Sequence, residues 1–273
     1  MRISASIRRS ATAGALAAML LVVAPARSLA QAAAAKPAKP APPTPGPTPA
    51  PPPPLEPAVL DRLKAMSELL KSTPRFTFKA ITDRETPSTN GQMLDFVSVS
   101  RVSVERPDKI RVDTTGDRFA ASLWYDGKTL TIYSDKSSFY AQVAAPATID
   151  EAIQMLLDRL DTPVPVAGFL LRDPYEKMIG GVKTAFDAGT ATLDGATCRH
   201  FAFSEDDADW QLWIEDGPKP LPRRLSVTYK KAAGSPRILV LLSDWNLSPT
   251  IPTGEFTFSP PAGATKVEWR TTK

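Results

Sequence analysis

Residues 104–133 read VERPDKIRVDTTGDRFAASLWYDGKTLTIY, and this stretch decides the fold. Apolar and polar residues alternate on both sides of a charged corner, Arg106-Pro107-Asp108-Lys109, and again around Asp126-Gly127. Proline has no N–H to give to a ladder, and glycine accepts the positive φ of a tight turn. Both corners therefore read as turns between antiparallel strands. The same signature continues outward. A strand begins at Arg75, where Phe76 and Phe78 alternate with Thr77 and Lys79. Asn90-Gly91 forms a hairpin turn into a long strand, Met93 to Glu105. Further strands are expected at 109–114, 119–125, 129–134 and 138–143, each bounded by Gly, Asp, Ser or Pro.

Two stretches carry a helical period instead. From Pro57 to about Lys71, Val59, Leu63, Met66 and Leu70 recur at helical spacing, with Leu60 and Leu69 widening the stripe. Pro57 suits a first turn, where its missing N–H would be unpaired anyway. Thr148 with Glu151 three residues on makes a capping box, ahead of an apolar face of Ile149, Ile153, Leu156, Leu157 and Leu160. Pro163 and Pro165 stop that helix, and 166–171 and 174–179 read as short helices ending at Gly180-Gly181. Strands return at 183–187, 190–193, 197–203, 210–215, 224–230 and 237–246, with short ones at Phe256/Phe258 and near 267–269. The expected fold class is α+β. About eleven strands joined by short turns form one highly curved antiparallel sheet, a half-barrel, with helices covering its concave face.

The N-terminus reads as a secretory signal, residues 1–30. Arg2, Arg8 and Arg9 precede an apolar run from Ala11 to Ala24, and Ser28-Leu29-Ala30 offers small residues for cleavage after Ala30. The run is short of the roughly 20 residues that a spanning helix needs, and no cysteine stands near the cleavage position for lipid attachment. The expected location is the periplasm. Removing this segment takes away four arginines and no acid, leaving 29 basic against 29 acidic residues. A neutral chain lacks the long-range field that attracts nucleic acid or an anionic membrane, so neither is an expected partner. Residues 36–57 hold 12 prolines in 22 positions. Residues 31–57 are therefore expected to form a Pro/Ala-rich linker, whose extended run 36–57 would reach about 70 Å at roughly 3.1 Å per residue. The folded domain is 58–273, enough for one sizeable core, and the single cysteine leaves hydrophobic packing to hold it.

Signals for chemistry are sparse. Cys198 and His200 stand two apart on one strand and share a face, which fits a packed pair or two metal ligands. His200 is the only histidine, so no complete metal site is expected. Glu205-Asp206-Asp207-Ala208-Asp209 reads as a solvated turn between strands, lacking the length and glycine of a calcium loop. Asp161, Asp173 and Glu176 lie near the helical block without a spacing that makes them a hydrolytic pair. Trp213 and Trp245 suit a core, a groove or sugar stacking. Nucleophile-elbow, phosphate-loop and dinucleotide motifs are missing from the sequence. The expectation is a binding protein without cofactor, not an enzyme.

Arg106-Pro107 with Ile110-Arg111, followed by Asp126-Gly127-Lys128-Thr129-Leu130 and Tyr133, resembles the lipoprotein-carrier (LolA/LolB-like) superfamily. More narrowly the chain resembles domain-of-unknown-function family 2092, predicted periplasmic proteins. That likeness runs over residues 58–269, through Trp124–Lys128, Asp173-Pro174-Tyr175, Cys198–Phe203, Asp209–Ile214, Pro220–Arg223 and Asp244-Trp245-Asn246. The carrier resemblance implies an apolar cavity between sheet and helices, with an acyl chain, lipid or lipid-modified protein as the partner of a monomer in transient contact with the membrane or an envelope protein. Exposing each CH₂ of such a chain to water costs about 0.8 kcal/mol, hence the need for a dry, coverable site. Candidate lining residues are Phe96, Trp124, Ile132, Phe139, Trp210, Leu212, Trp245 and Phe256. The lid candidates are Ile153, Leu156, Leu157, Phe169 and Leu170. Arg111 takes the place of a carrier arginine that hydrogen-bonds the closed lid. A second reading gives the same fold a protein partner, as an envelope assembly or stress-sensing factor.

Overall fold

The computed structural model describes residues 55–159 and 165–269. The expected signal, the linker up to residue 54, and Leu160, Asp161 and Pro163 lie outside the described residues. A helix, α1 (Pro57–Ser72), is followed by six strands: β1 (Arg75–Pro87), β2 (Met93–Glu105), β3 (Lys109–Gly116), β4 (Ala120–Tyr125), β5 (Thr129–Ser134) and β6 (Phe139–Ala144). Then come α2 (Ile149–Arg159), a 3-10 helix (Pro165–Leu170) and α3 (Pro174–Ile179). Strands β7 (Thr184–Leu193), β8 (Ala196–Ser204), β9 (Ala208–Glu215), β10 (Pro222–Tyr229), β11 (Arg237–Asn246) and β12 (Thr265–Lys266) complete the chain.

All twelve strands lie in one open sheet of order β12-β6-β5-β4-β3-β2-β1-β11-β10-β9-β8-β7. Two meanders, β1–β6 and β7–β11, meet where β1 pairs β11. Every pairing is antiparallel except β12 beside β6. This order dictates where the helices go. After β6 the chain stands at one side of the sheet and must reach β7 at the opposite edge, so it crosses a face. The crossing is α2, the 3-10 helix and α3.

Strand alternation assigns the faces. Phe76, Phe78 and Ala80 on β1, Val102 and Val104 on β2, and Ile110 and Tyr125 beyond them share one buried cluster with Val59, Leu63, Met66 and Leu70 of α1 and with Ile149, Phe169 and Leu170. This helix-covered side is the inner face. Phe78 of β1 stacks on Trp245 of β11 at 4.5 Å, where the two meanders join. From β11 the chain returns to the β6 edge by the outer face, where Phe258 packs on Trp124, Tyr133 and Tyr140 at 4.9, 6.1 and 5.0 Å.

Two strand expectations are corrected. Residues 184–193 form one strand rather than two, because the register shifts across Asp187–Gly189 and Gly189 takes φ +107°. Phe256 and Phe258 stand in turn and irregular backbone, since side-chain packing rather than a ladder holds their segment. The hairpin corners follow expectation: Gly91 and Gly127 have φ of +83° and +89°, and Asp126 Oδ1 accepts the Lys128 and Thr129 N–H groups.

Candidate functional site

The cover over the inner face begins at Thr148. Its hydroxyl oxygen accepts the Glu151 N–H and its hydroxyl donates to the Glu151 carboxylate. The Ile149 N–H donates to Pro107 O at 3.0 Å, tying the start of α2 to the β2–β3 corner. Asp150 Oδ1 accepts Arg172 N–H at 2.9 Å, which joins that start to the end of the 3-10 helix. Downstream, Tyr175 N–H donates to Ser67 Oγ of α1, and Lys71 pairs with Asp173 at 3.3 Å. The Glu176 N–H and that pairing hold the Asp173 carboxyl below its ordinary pKa.

Arg106 connects all these pieces. Its Nη1 donates to Leu170 O at 2.9 Å, its Nη2 to Leu171 O at 3.0 Å, and its Nε to Leu70 O at 3.3 Å. The guanidinium also lies 5.6 Å from the Phe76 ring centre. Burial lowers its pKa from the ordinary value, opposed by the charge of Asp150. The donors of this desolvated cation are thus spent on main-chain carbonyls of the cover and of α1. Carbonyl oxygens whose bonds point at a cation are a strong but neutral counterpart.

Tyr125 supports the same region from below. Its hydroxyl donates to Pro146 O at 2.5 Å, and burial pushes its pKa up to about 12. In the unfolded chain tyrosine ionises near its ordinary value, about 10. Above that pH the unfolded state releases a proton that the folded state retains, so stability falls between about pH 10 and 12. The contribution is of order 2–3 kcal/mol, at about 1.36 kcal/mol for each pH unit of that interval. In urea unfolding from pH 8 to 12, Tyr125→Phe should cost about 1 kcal/mol at pH 8 and then lose stability less steeply than wild type. An unchanged slope would place the alkaline sensitivity elsewhere.

The sequence-derived candidates distribute unevenly. Ile153, Phe169, Leu170, Trp210 and Leu212 meet in the inner core, and Leu157 and Trp245 pack against it. Leu156 is half-buried on α2. Phe96, Ile132 and Phe139 face the same side, beyond the core cluster; Phe96 lies under the Arg118 guanidinium at 4.6 Å, and Phe139 is 48% exposed. Trp124 and Arg111 stand opposite one another in the register on the outer face. Arg111 binds Asp113 through Nε at 2.9 Å, reaches Glu255 O at 3.4 Å, and lies 4.8 Å above the Trp124 ring. Phe256 is buried in the same C-terminal segment. The residue that bonds the cover is Arg106, five positions earlier in the stretch that decides the fold. It was missed because its acceptors are backbone carbonyls, which leave no trace in side-chain chemistry.

Elsewhere, Cys198 is buried, and burial pushes its thiol up. His200 stacks on Trp213 at 4.0 Å and contacts Gln211. Arg224 lies 4.5 Å over that Trp213 ring, which is itself nearly buried. The acidic turn pairs with lysines, Asp206 with Lys183 and Asp209 with Lys230. Among the described residues no group of three His, Cys, Asp or Glu is placed to hold a metal, and no helix is long and apolar enough to cross a membrane.

The fold and its covered face define a class of protein: an open, curled, mostly antiparallel sheet with one face closed by helices. Within it, the chain belongs to the family described as predicted periplasmic protein (DUF2092), whose model matches residues 60–269. Solved structures to which it is similar include an uncharacterised conserved protein from Thermus thermophilus, at 11% identity and TM-score 0.43, covering 78% of this chain and 98% of that one. Another is the lipoprotein LppX of Mycobacterium tuberculosis, at 13% identity and TM-score 0.42, covering 72% and 100%. A LolA superfamily protein from Nitrosomonas europaea has 11% identity and TM-score 0.37, covering 73% and 97%. No curated protein matches the sequence.

Proposed function

We propose that this periplasmic family member is a non-enzymatic binding protein that takes an acyl chain or similar apolar ligand between its inner face and the cover formed by α2 and the 3-10 helix. The observation carrying this reading is the attachment of the cover. Its underside is apolar, with Ile149, Ile153, Phe169 and Leu170 buried, whereas much of its polar anchorage comes from one side chain, Arg106. Lifting the cover would uncover Phe76, Val104, Ile110 and Leu130, a surface that an acyl chain can replace at about 0.8 kcal/mol per CH₂ buried. In the closed state these side chains fill the space themselves. Residues 1–30 would direct export and be removed after Ala30, and residues 31–57 would tether the domain as a monomer at a distance from its partner.

A fluorescent fatty acid titrated into the purified protein tests the reading. Saturable binding is expected, weakened about tenfold or more by Leu156→Glu, which sets a charge on the half-buried side of α2. Binding that is absent, or equal in the two proteins, contradicts it.

A second reading has its own observation. On the outer face Val97 and Leu241 are 41% and 42% exposed, close to Ile81 and Val99 in the register. Between the strands lies Asp83, whose Oδ1 is buried without a partner and whose carboxyl is pushed up by burial and by Asp95. A protein partner presenting a cation between apolar groups would complement this strip, in keeping with an envelope assembly or sensing factor. Crosslinking in cells, lost in Leu241→Glu, would favour it.

A further inference from the structure

The outer face divides into a covered and an open part. The C-terminal segment packs over β3 to β6, where Phe258 meets Trp124, Tyr133 and Tyr140, and Glu255 meets Arg111. Beside it the outward residues of β1 and β2 pair in a fixed order: Lys79 with Arg101, Ile81 with Val99, Asp83 with Val97, and Glu85 with Asp95. One end of this strip is therefore basic, its middle apolar and its other end acidic. Leu241 of β11, opposite Ile81 and exposed, widens the apolar middle.

Both ends are built at a cost. Like charges directly opposite one another destabilise a sheet, and each end places them so. At the basic end the fold offers no remedy. Asp113, opposite Arg101 on β3, is bound by Arg111, and among the described residues Lys79 and Arg101 have no carboxylate partner. At the acidic end Arg237 answers Glu85. Asp95 forms no ion pair among the described residues, and Asp83 Oδ1 is buried without a donor. Burial and then the charge of Asp95 raise the pKa of the Asp83 carboxyl, with Arg237 opposing them.

We infer that this strip receives one amphipathic helix of a protein partner, with acidic side chains in one end turn, basic ones in the other and an apolar stripe between. This deepens the reading of the outer strip as a protein-binding surface and rests on it. The length fits. Arg101 and Asp95 stand six residues apart on β2, roughly 20 Å along the strand, which a helix of about 13 residues spans at 1.5 Å each. A helix also satisfies its own backbone. An extended segment laid on a sheet face would find the N–H and C=O groups beneath it already used in the ladders. A second copy of the sheet would need to approach flat, and the C-terminal segment standing on the same face opposes that. An anionic membrane would be repelled by Asp83 and Asp95.

Fluorescence anisotropy of the purified protein with labelled, stapled helices of about 14 residues tests it. All four carry the same apolar stripe. One has Glu in its first turn and Arg in its last, the order that the helix dipole favours; the others have Glu, Arg or Gln at both ends. The first is expected to bind about tenfold or more tightly than the rest, and about 0.5 M salt should remove most of that margin. In a protein carrying Lys79→Glu with Arg101→Glu, the preference should pass to the helix with Arg at both ends, a gain that misfolding cannot produce. Arg101→Glu alone, at an exposed side chain, should shift it part of the way. Leu241→Glu should weaken all four. Equal affinities, or no binding, overturn the proposal. If crosslinking in cells is nonetheless lost in Leu241→Glu, the strip still serves a protein partner and only the helix assignment falls; without that crosslink both fall. A dimer that Leu241→Glu dissolves in sedimentation would give the strip to a second copy and also overturn the proposal.

Discussion

Arg106→Met is expected to lower the unfolding free energy by about 2–3 kcal/mol and to raise amide hydrogen exchange across residues 165–172 more than anywhere else. Three carbonyls, those of Leu70, Leu170 and Leu171, lose their cationic donor at once. A hydrogen bond to a charged group is worth roughly 1.5–3 kcal/mol, but the sum is reduced because the variant no longer buries a cation. Methionine keeps the unbranched apolar stem beside Phe76, so the loss reports the fork rather than a cavity. Arg106→Lys should recover only part of it. A single ammonium cannot reach both cover carbonyls in the fixed spread of a guanidinium. If exchange in 165–172 is unchanged in Arg106→Met, this side chain does not hold the cover.

Truncating the core on its two sides should give different outcomes. Phe76 on β1 and Phe169 in the 3-10 helix are both fully buried in one cluster. Phe76→Ala is expected to cost the usual 3–5 kcal/mol or so of a buried phenylalanine and to lower the global midpoint accordingly. Phe169→Ala removes the same group from the cover, which the proposed binding mode requires to open by itself. Its effect on global stability is limited by the free energy of that local opening, so the midpoint should shift less while exchange at 165–172 rises steeply. Equal losses from the two variants, with no local signature, would make the cover an integral part of the core rather than a movable element.

Much of this arrangement was legible in the chain, and the exceptions have physical causes. The hairpins at Asn90-Gly91 and Asp126-Gly127, the apolar stripe of α1 and the Thr148–Glu151 cap were all readable, because each depends on neighbours in sequence. The curled sheet followed from the succession of short turns, and the short strand expected near 267–269 is the two-residue β12 at 265–266. Which face a residue occupies was harder to read. Trp124 is large and aromatic, yet it packs on the outer side because Phe258, over a hundred residues later, is delivered there by the C-terminal segment. Arg111 follows it, drawn to Asp113 and Glu255.

The central claim, that the covered inner face holds an apolar ligand, is tested most directly by mass spectrometry of an organic extract. The protein would be exported to a bacterial periplasm and purified without detergent. A lipid or fatty acid near one equivalent per chain is predicted, absent from a Leu156→Glu variant whose circular dichroism matches wild type. A protein that arrives empty, and that also fails to bind added fatty acid, would contradict the account and turn attention to the outer strip at Val97 and Leu241.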